Sequence, residues 1–245
     1  MNHLNATKRF LEIFAVGSSG LNRCLKAGRG KDAIPRDVLN DTLTDWGKRS
    51  LEILNLRLTQ TGTPSQTPTL FVGNHVSYLD IPVLMSQVPL MFVAKKEVGS
   101  WPVFGTAVRK LGMVLVDRDR SDSRLKAAEA VGECIVKRKQ SVAIFPSGTT
   151  SLEEAKPWRW GAFVIAKRYG IPIQPFRLRY HPARPAAYLM EDVFVPHLWK
   201  LLGLKELEVF VEFHPPIRVS DPEKDCAQWW EWSRAFSLLS PQKSS

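Results

Sequence analysis

Two rhythms of apolar and polar residues run along the chain, short apolar runs and longer stretches with helical periodicity. In the first stretch Phe10, Leu11, Phe14, Leu21 and Leu25 fall near one helical face with cations flanking it. This fits an interfacial amphipathic segment, interrupted where Gly17-Ser18-Ser19-Gly20 breaks the helix, and equally a partly disordered basic tail or a helix docked on the core. Leu39, Leu43, Trp46, Leu51 and Leu54 recur at helical spacing and predict a second helix, and the alternation Leu56-Arg57-Leu58-Thr59 predicts a strand. Residues 61–69, with Gly62, Pro64 and Pro68, read as a turn-rich connector.

From residue 69 onward the two rhythms alternate. Strands are expected over 69–73, 91–94, 113–116, 141–145 and 171–177, with helices over 80–86, 101–111, 123–139 and 161–169. Apolar runs at 187–195 and 207–214 have no helical pattern between them and read as two further strands, so the sheet is expected to be mixed. A closing helix over 225–239 would spread Trp229, Trp230 and Trp232 over different faces, with one or two packed on the core. The fold class is therefore α/β, a mixed, mostly parallel sheet layered with helices and preceded by a basic N-terminal helical segment. The division that follows is a membrane-associating helical segment over 1–62 and a catalytic domain over 63–245.

Composition adds one feature. Among 245 residues, 34 Lys and Arg stand against 24 Asp and Glu, a formal charge of +10 and a pI near 9.7. Lys8, Arg9, Arg23, Lys26, Arg29 and Lys31 against Glu12 place +5 of it in the first thirty-one residues. That charge draws the chain toward anionic partners. Cys24, Cys134 and Cys226 are too scattered for a disulfide framework or a zinc cluster, which fits a reducing cytosol. No apolar run reaches the roughly 18 residues of a spanning helix, and the short run at 10–16, interrupted by Glu12, lacks a cleavage signal. A peripheral place on the cytoplasmic face of a membrane is expected.

Three segments carry candidate chemistry, each at the end of an expected strand. The first is Asn74-His75-Val76-Ser77-Tyr78-Leu79-Asp80. Histidine, with an ordinary pKa near ~6.5, suits general-base work when a carboxylate fixes its tautomer. Taken alone, such a pair is more often a helix-start histidine and a surface carboxylate. The second, Gly112-Met113-Val114-Leu115-Val116-Asp117-Arg118, ends on a guanidinium that matches phosphate geometry. The third, Phe145-Pro146-Ser147-Gly148-Thr149-Thr150-Ser151, offers small and hydroxyl residues whose backbone N–H groups suit an anion, or simply make a turn.

Together these segments resemble the 1-acylglycerol-3-phosphate and glycerol-3-phosphate acyltransferases. That family's signature is Asn-His-x-Ser-x-x-Asp, Gly-x-(apolar)3-Asp-Arg, Phe-Pro-Glu-Gly-Thr-Arg-Ser and an apolar Pro-rich strand, here Gly170-Ile171-Pro172-Ile173-Gln174-Pro175. Ala94-Lys95-Lys96-Glu97 and the run from Trp101 to Gly105 are also similar to the family, and the likeness covers roughly residues 45 to 215. The resemblance implies that His75, oriented by Asp80, deprotonates an acceptor hydroxyl that attacks the thioester of acyl-CoA or an acyl carrier protein. It implies binding roles for Asn74, Ser77, Arg118, Ser147, Gly148, Thr149 and Thr150. It implies no metal and no cofactor beyond the thioester co-substrate, and as partners a lyso-lipid acceptor, an anionic membrane surface and no nucleic acid. Ser147 stands where the family usually has Glu and Thr150 where it often has Arg, which removes charge from the expected acceptor site. Branches that acylate lyso-ornithine lipid share Thr at the latter position.

Two other readings remain at this stage. Ser147 as a nucleophile with His75 as its base would make a hydrolase, but no Gly-x-Ser-x-Gly elbow surrounds it. A basic, inactive lipid- or nucleic-acid-binding scaffold fits the charge, without any RNA-binding or zinc-finger signature. His181, His197 and His214 lack ligand spacing and read as structural or surface residues.

Overall fold

The computed structural model describes residues 3–100, 104–117 and 120–237. Its centre is a seven-stranded sheet made of β1 (Leu56–Thr61), β2 (Leu70–Gly73), β3 (Leu90–Lys95), β4 (Val114–Val116), β5 (Ser141–Ile144), β6 (Ile173–His181) and β7 (Leu207–Phe213). The order across the sheet is β1-β7-β6-β2-β5-β3-β4. β6, β2, β5, β3 and β4 run parallel to one another, whereas β7 is antiparallel to β6 and β1 follows β7 in parallel. The mixed, mostly parallel sheet read from the sequence is thus what forms. β2 (Leu70, Phe71, Val72, Gly73) is buried at every position, as expected of a central parallel strand covered on both faces. β7 alternates buried and half-buried residues, the pattern of a strand with one wet face. β1, which the sequence division left in the first segment, is an edge strand of this sheet.

Nine helices are described: α1 (His3–Gly28), α2 (Arg36–Leu54), α3 (Asp80–Met85), α4 (Phe104–Lys110), α5 (Ser121–Val136), α6 (Gly161–Tyr169), α7 (Ala183–Ala186), α8 (Phe194–Leu202) and α9 (Pro222–Ser237). α1 corrects one expectation, since it runs through Gly17-Ser18-Ser19-Gly20 without a break. The small residues serve a contact instead. A Cβ on Gly17 would meet the Trp46 ring at 3.5 Å and one on Gly20 would meet Thr42 Cγ2 at 2.9 Å, so their absence lets α1 lie close against α2. Ala6 and Cys24 are buried on this docked side, while Leu4, Phe10, Leu11, Phe14 and Leu25 stand exposed.

α2 ends on Asn55 in the left-handed conformation at φ 50, one of the few non-glycine residues that accept it readily. It also packs on α3 at Gly47, where a Cβ would lie 2.4 Å from the Ser86 backbone nitrogen. The second correction concerns residues 187–195. They form no strand; the chain passes along the end of the sheet and turns into α8 at Phe194. Its backbone bonds go to the β2–α3 loop and to local turns, not to a neighbouring strand. The expected helix at 101–111 is seen from Phe104 to Lys110, and residues 101–103 lie outside the described residues.

Candidate functional site

The C-terminal ends of the parallel strands share one edge of the sheet, and the chemistry-bearing loops gather there. β2 delivers the first. Gly73 closes it where a Cβ would sit 2.3 Å from the Phe176 carbonyl oxygen, so the strand can hug β6 only without a side chain. Asn74 continues the ladder with its side chain: Nδ2 donates to the Leu178 carbonyl at 2.7 Å, and Oδ1 accepts from the Leu178 N–H at 2.8 Å. Buried and doubly bonded, Asn74 braces the loop against β6.

Asp80 opens α3 and is fully buried. Its Oδ2 accepts from His75 Nδ1 at 2.6 Å and from the N–H groups of Val76 at 2.8 Å and Ser77 at 3.1 Å. Its Oδ1 accepts from the Tyr180 hydroxyl at 2.8 Å. Burial, together with the adjacent carboxylate, holds the Tyr180 phenol well above its usual range, so it stays protonated as a donor. With the Val76 and Ser77 N–H groups and the Tyr180 hydroxyl all donating to it, this carboxylate is placed as an acceptor toward the ring as well. His75 must therefore carry its proton on Nδ1, and Nε2 bears the lone pair. The His75 ring stacks on Phe145, with centroids 4.0 Å apart and planes 9° from parallel, and its side chain is 20% exposed. The imidazole keeps part of its edge exposed while its face and Nδ1 are clamped.

Tyr180 was missed by the sequence reading. In the alternating strand β6 a buried Tyr reads as core, and its link to Asp80 spans 100 positions.

β5 lies next to β2 and delivers the third loop beside the first. Phe145 supplies the stacking face, and the Ser151 N–H donates to the His75 carbonyl at 2.8 Å, tying the loops together. Ser147 Oγ donates to the Thr149 carbonyl at 2.8 Å rather than bonding His75, so no Ser–His nucleophile pair is formed. The Thr150 hydroxyl bonds the Tyr188 carbonyl. The Gly148 N–H closes the turn on the Phe145 carbonyl at 3.0 Å, with Gly148 at φ 73. Two of the N–H groups expected to face an anion are thus taken up within the loops. Thr149 is exposed. Ser77 Oγ is buried and has no hydrogen-bond partner. β4 lies three strands from β2, about 14 Å at ordinary strand spacing, so the second segment flanks the pair at a distance. Arg118 itself lies outside the described residues.

The remaining wall is aromatic. Tyr78, Tyr188 and Phe194 meet with ring centroids 5.3–6.2 Å apart. His197, expected to be structural or on the surface, is buried among them. Its Nε2 lies 2.7 Å from the Ala187 carbonyl and its Nδ1 lies 2.9 Å from the Tyr78 hydroxyl. Burial and the neighbouring Tyr188 and Asp192 hold that phenol far above its usual range, so Tyr78 donates to Nδ1 and Nε2–H donates to the carbonyl.

Behind the third loop Glu154 is buried, accepting from Trp158 Nε1 at 2.6 Å and Ser233 Oγ at 2.7 Å. Burial raises its carboxyl from 4.5 to about 7. A carboxyl whose pKa is higher in the fold stabilises it fully below pH 4.5, and that stability is lost as pH rises through about 7. The loss amounts to about 3 kcal/mol. Glu154→Gln, which keeps the shape without the charge, should therefore lose about 5–10 °C less melting temperature between pH 5 and pH 8 than the parent. Identical pH slopes in calorimetry would show that Glu154 ionises without cost to the fold.

Comparison with known proteins places these features. The family model named Acyltransferase matches residues 55–179. The chain is 31% identical over 194 residues to the lyso-ornithine lipid O-acyltransferase of Pseudomonas aeruginosa, covering 77% of this chain and 73% of that one. It is 31% identical over 193 residues to the 1-acyl-sn-glycerol-3-phosphate acyltransferase of Neisseria meningitidis, covering 76% and 75%. The crystal structure of the 1-acyl-sn-glycerophosphate (LPA) acyltransferase PlsC from Thermotoga maritima superposes with a TM-score of 0.70 at 18% identity, over 99% of this chain and 100% of that one. At that identity the likeness is one of fold.

Proposed function

We propose, on the premise that the chain belongs to the Acyltransferase family and is an O-acyltransferase, that it acylates the free hydroxyl of a lyso-lipid with His75 as general base. The observation that carries the reading is the donor-saturated Asp80 carboxylate, which commits His75 to the tautomer with a basic Nε2. Nε2 takes the acceptor's proton as its oxygen bonds to the thioester carbon. The imidazolium formed is stabilised by Asp80 through Nδ1–H. Collapse of the tetrahedral intermediate breaks the C–S bond, and the proton on Nε2 passes to the departing thiolate. With an ordinary thiol pKa near ~8.5, that group leaves with little help. The donor is acyl-CoA or an acyl carrier protein.

The reading includes a 1-acylglycerol-3-phosphate or related lyso-glycerolipid as acceptor. A second acceptor, lyso-ornithine lipid, is favoured by a specific observation: Ser147 and Thr150 carry no charge, and both hydroxyls are bonded to backbone carbonyls. An acceptor without a phosphate monoester asks for no guanidinium at these positions. Turnover of labelled acyl thioester should be compared on lysophosphatidic acid, lyso-ornithine lipid and monoacylglycerol. Greater kcat/KM on lyso-ornithine lipid is the expected result; a tenfold or larger preference for lysophosphatidic acid would place a phosphate clamp elsewhere. No turnover on any of the three would sink the lyso-lipid reading.

The same reading places the protein on the surface of an anionic membrane. Among the described residues no helix is long and apolar enough to cross a bilayer. α1 supports surface binding with exposed Leu4, Phe10, Leu11 and Phe14 beside Lys8 and Lys26.

A further inference from the structure

The large apolar side chains exposed among the described residues are unevenly spread. Five stand on α1, four on α5 and at or near the start of α6, and three, Met190, Val193 and Val195, within six residues on the turn that leads into α8 and its first turn. Pro196 beside them is exposed too. α1 and α8 are packed together, with Arg9 of α1 donating to the carbonyls of Leu202 and Leu204 at the end of α8. Met190 is 90% exposed, Val193 68% and Val195 69%, values that a turn in water has no reason to present side by side.

Three further observations concern this turn. Its two acids share one guanidinium, because Arg184 bonds Asp192 at 3.0 and 3.1 Å and lies 3.5 Å from Glu191. The segment is joined to the catalytic loops: the Tyr188 N–H donates to the Val76 carbonyl at 3.1 Å, and the Tyr188 carbonyl accepts from Thr150. His197 and the Tyr78–Tyr188–Phe194 cluster lock its base in place. An apolar tip whose base is bonded to both loops thus stands beside a site read above as taking a lipid acceptor, on a chain of formal charge +10.

We propose that the turn from Met190 to Pro196 is a second membrane contact, inserted into an anionic bilayer beside the site so that a lyso-lipid reaches His75 without leaving the interface. The inference rests on the lyso-lipid reading above. It commits to a bilayer as occupant: Arg184 offsets one of the two acidic charges that would oppose insertion, the chain as a whole carries +10, and the tip's methyls gain by leaving water.

Two measurements on the full chain test it. Cys24, Cys134 and Cys226 are all buried, so a cysteine placed at an exposed position can be labelled selectively. Val193→Cys carrying an environment-sensitive fluorophore should shift its emission to the blue on vesicles of phosphatidylglycerol and phosphatidylcholine. Leu125→Cys, an exposed apolar position on α5, should show no shift. The double variant Val193→Asp and Val195→Asp should lose about tenfold or more in turnover on acceptor held in those vesicles. On a short-chain lyso-lipid dispersed as monomers it should stay close to the parent. An unshifted Val193 probe, undiminished turnover on vesicles, or equal losses on both acceptors would overturn the inference. If the parent acylates no lyso-lipid, the reading of function fails, yet the fluorophore still reports whether the tip inserts.

Discussion

Replacing His75 by alanine is expected to lower acyl transfer by about 10²–10⁴-fold, the usual worth of general-base assistance, and to leave the protein folded. The fold should survive because the imidazole stands at the edge of the site and not in the core. Its ring covers one face of Phe145 and makes a single hydrogen bond, to Asp80. Asp80 keeps the Val76 and Ser77 N–H groups and the Tyr180 hydroxyl after the ring is gone. Losing one of four donors to a buried carboxylate costs about 1–3 kcal/mol, within the margin of a domain this size. Turnover at saturating acceptor, read beside a melting curve, separates the two effects. A folded variant with near-parental turnover would remove His75 from the chemistry.

Asp80→Asn is the more discriminating change, because the geometry specifies how the new amide must sit. Three donors converge on Oδ2 and one on Oδ1, so the amide oxygen faces His75, Val76 and Ser77 while its NH2 faces Tyr180. The phenol then turns from donor to acceptor, as a hydroxyl can. In this arrangement Nδ1–H keeps an acceptor and the resting tautomer survives. What is lost is the negative charge opposite the imidazolium that forms as the acceptor is deprotonated. A kcat reduced by about 10²–10⁴-fold is expected, equivalent to roughly 3–5 kcal/mol of transition-state stabilisation. Full activity in a folded Asp80→Asn variant would mean that Asp80 only shapes the loop.

The His75–Asp80 pair was legible in the sequence because both residues lie within one seven-residue segment between a strand and a helix, where periodicity changes visibly. The stacking partner Phe145 was within a motif as well, although nothing in the sequence said that its ring would lie under His75. Contacts between distant segments were not legible. Tyr180 sits at an inward position of an alternating strand, where a buried aromatic needs no special reason. The apolar run Val193-Phe194-Val195 fitted a strand as well as a helix start, and only the packing of Phe194 on Tyr78 and Tyr188 decides for the helix. The glycines of α1 signalled a break because a local rule saw no α2 for them to pack against.

The brace between Asn74 and Leu178 joins residues 104 positions apart, and the Tyr180–Asp80 bond joins residues 100 apart. Such contacts close late in folding, after large loops of chain have been drawn together. His75 and Asp80, near neighbours in sequence, can meet in a disordered chain, but their partners cannot. A nascent or partly refolded molecule therefore holds the His75–Asp80 pair without its scaffold, and the pair is set in place only with the complete sheet.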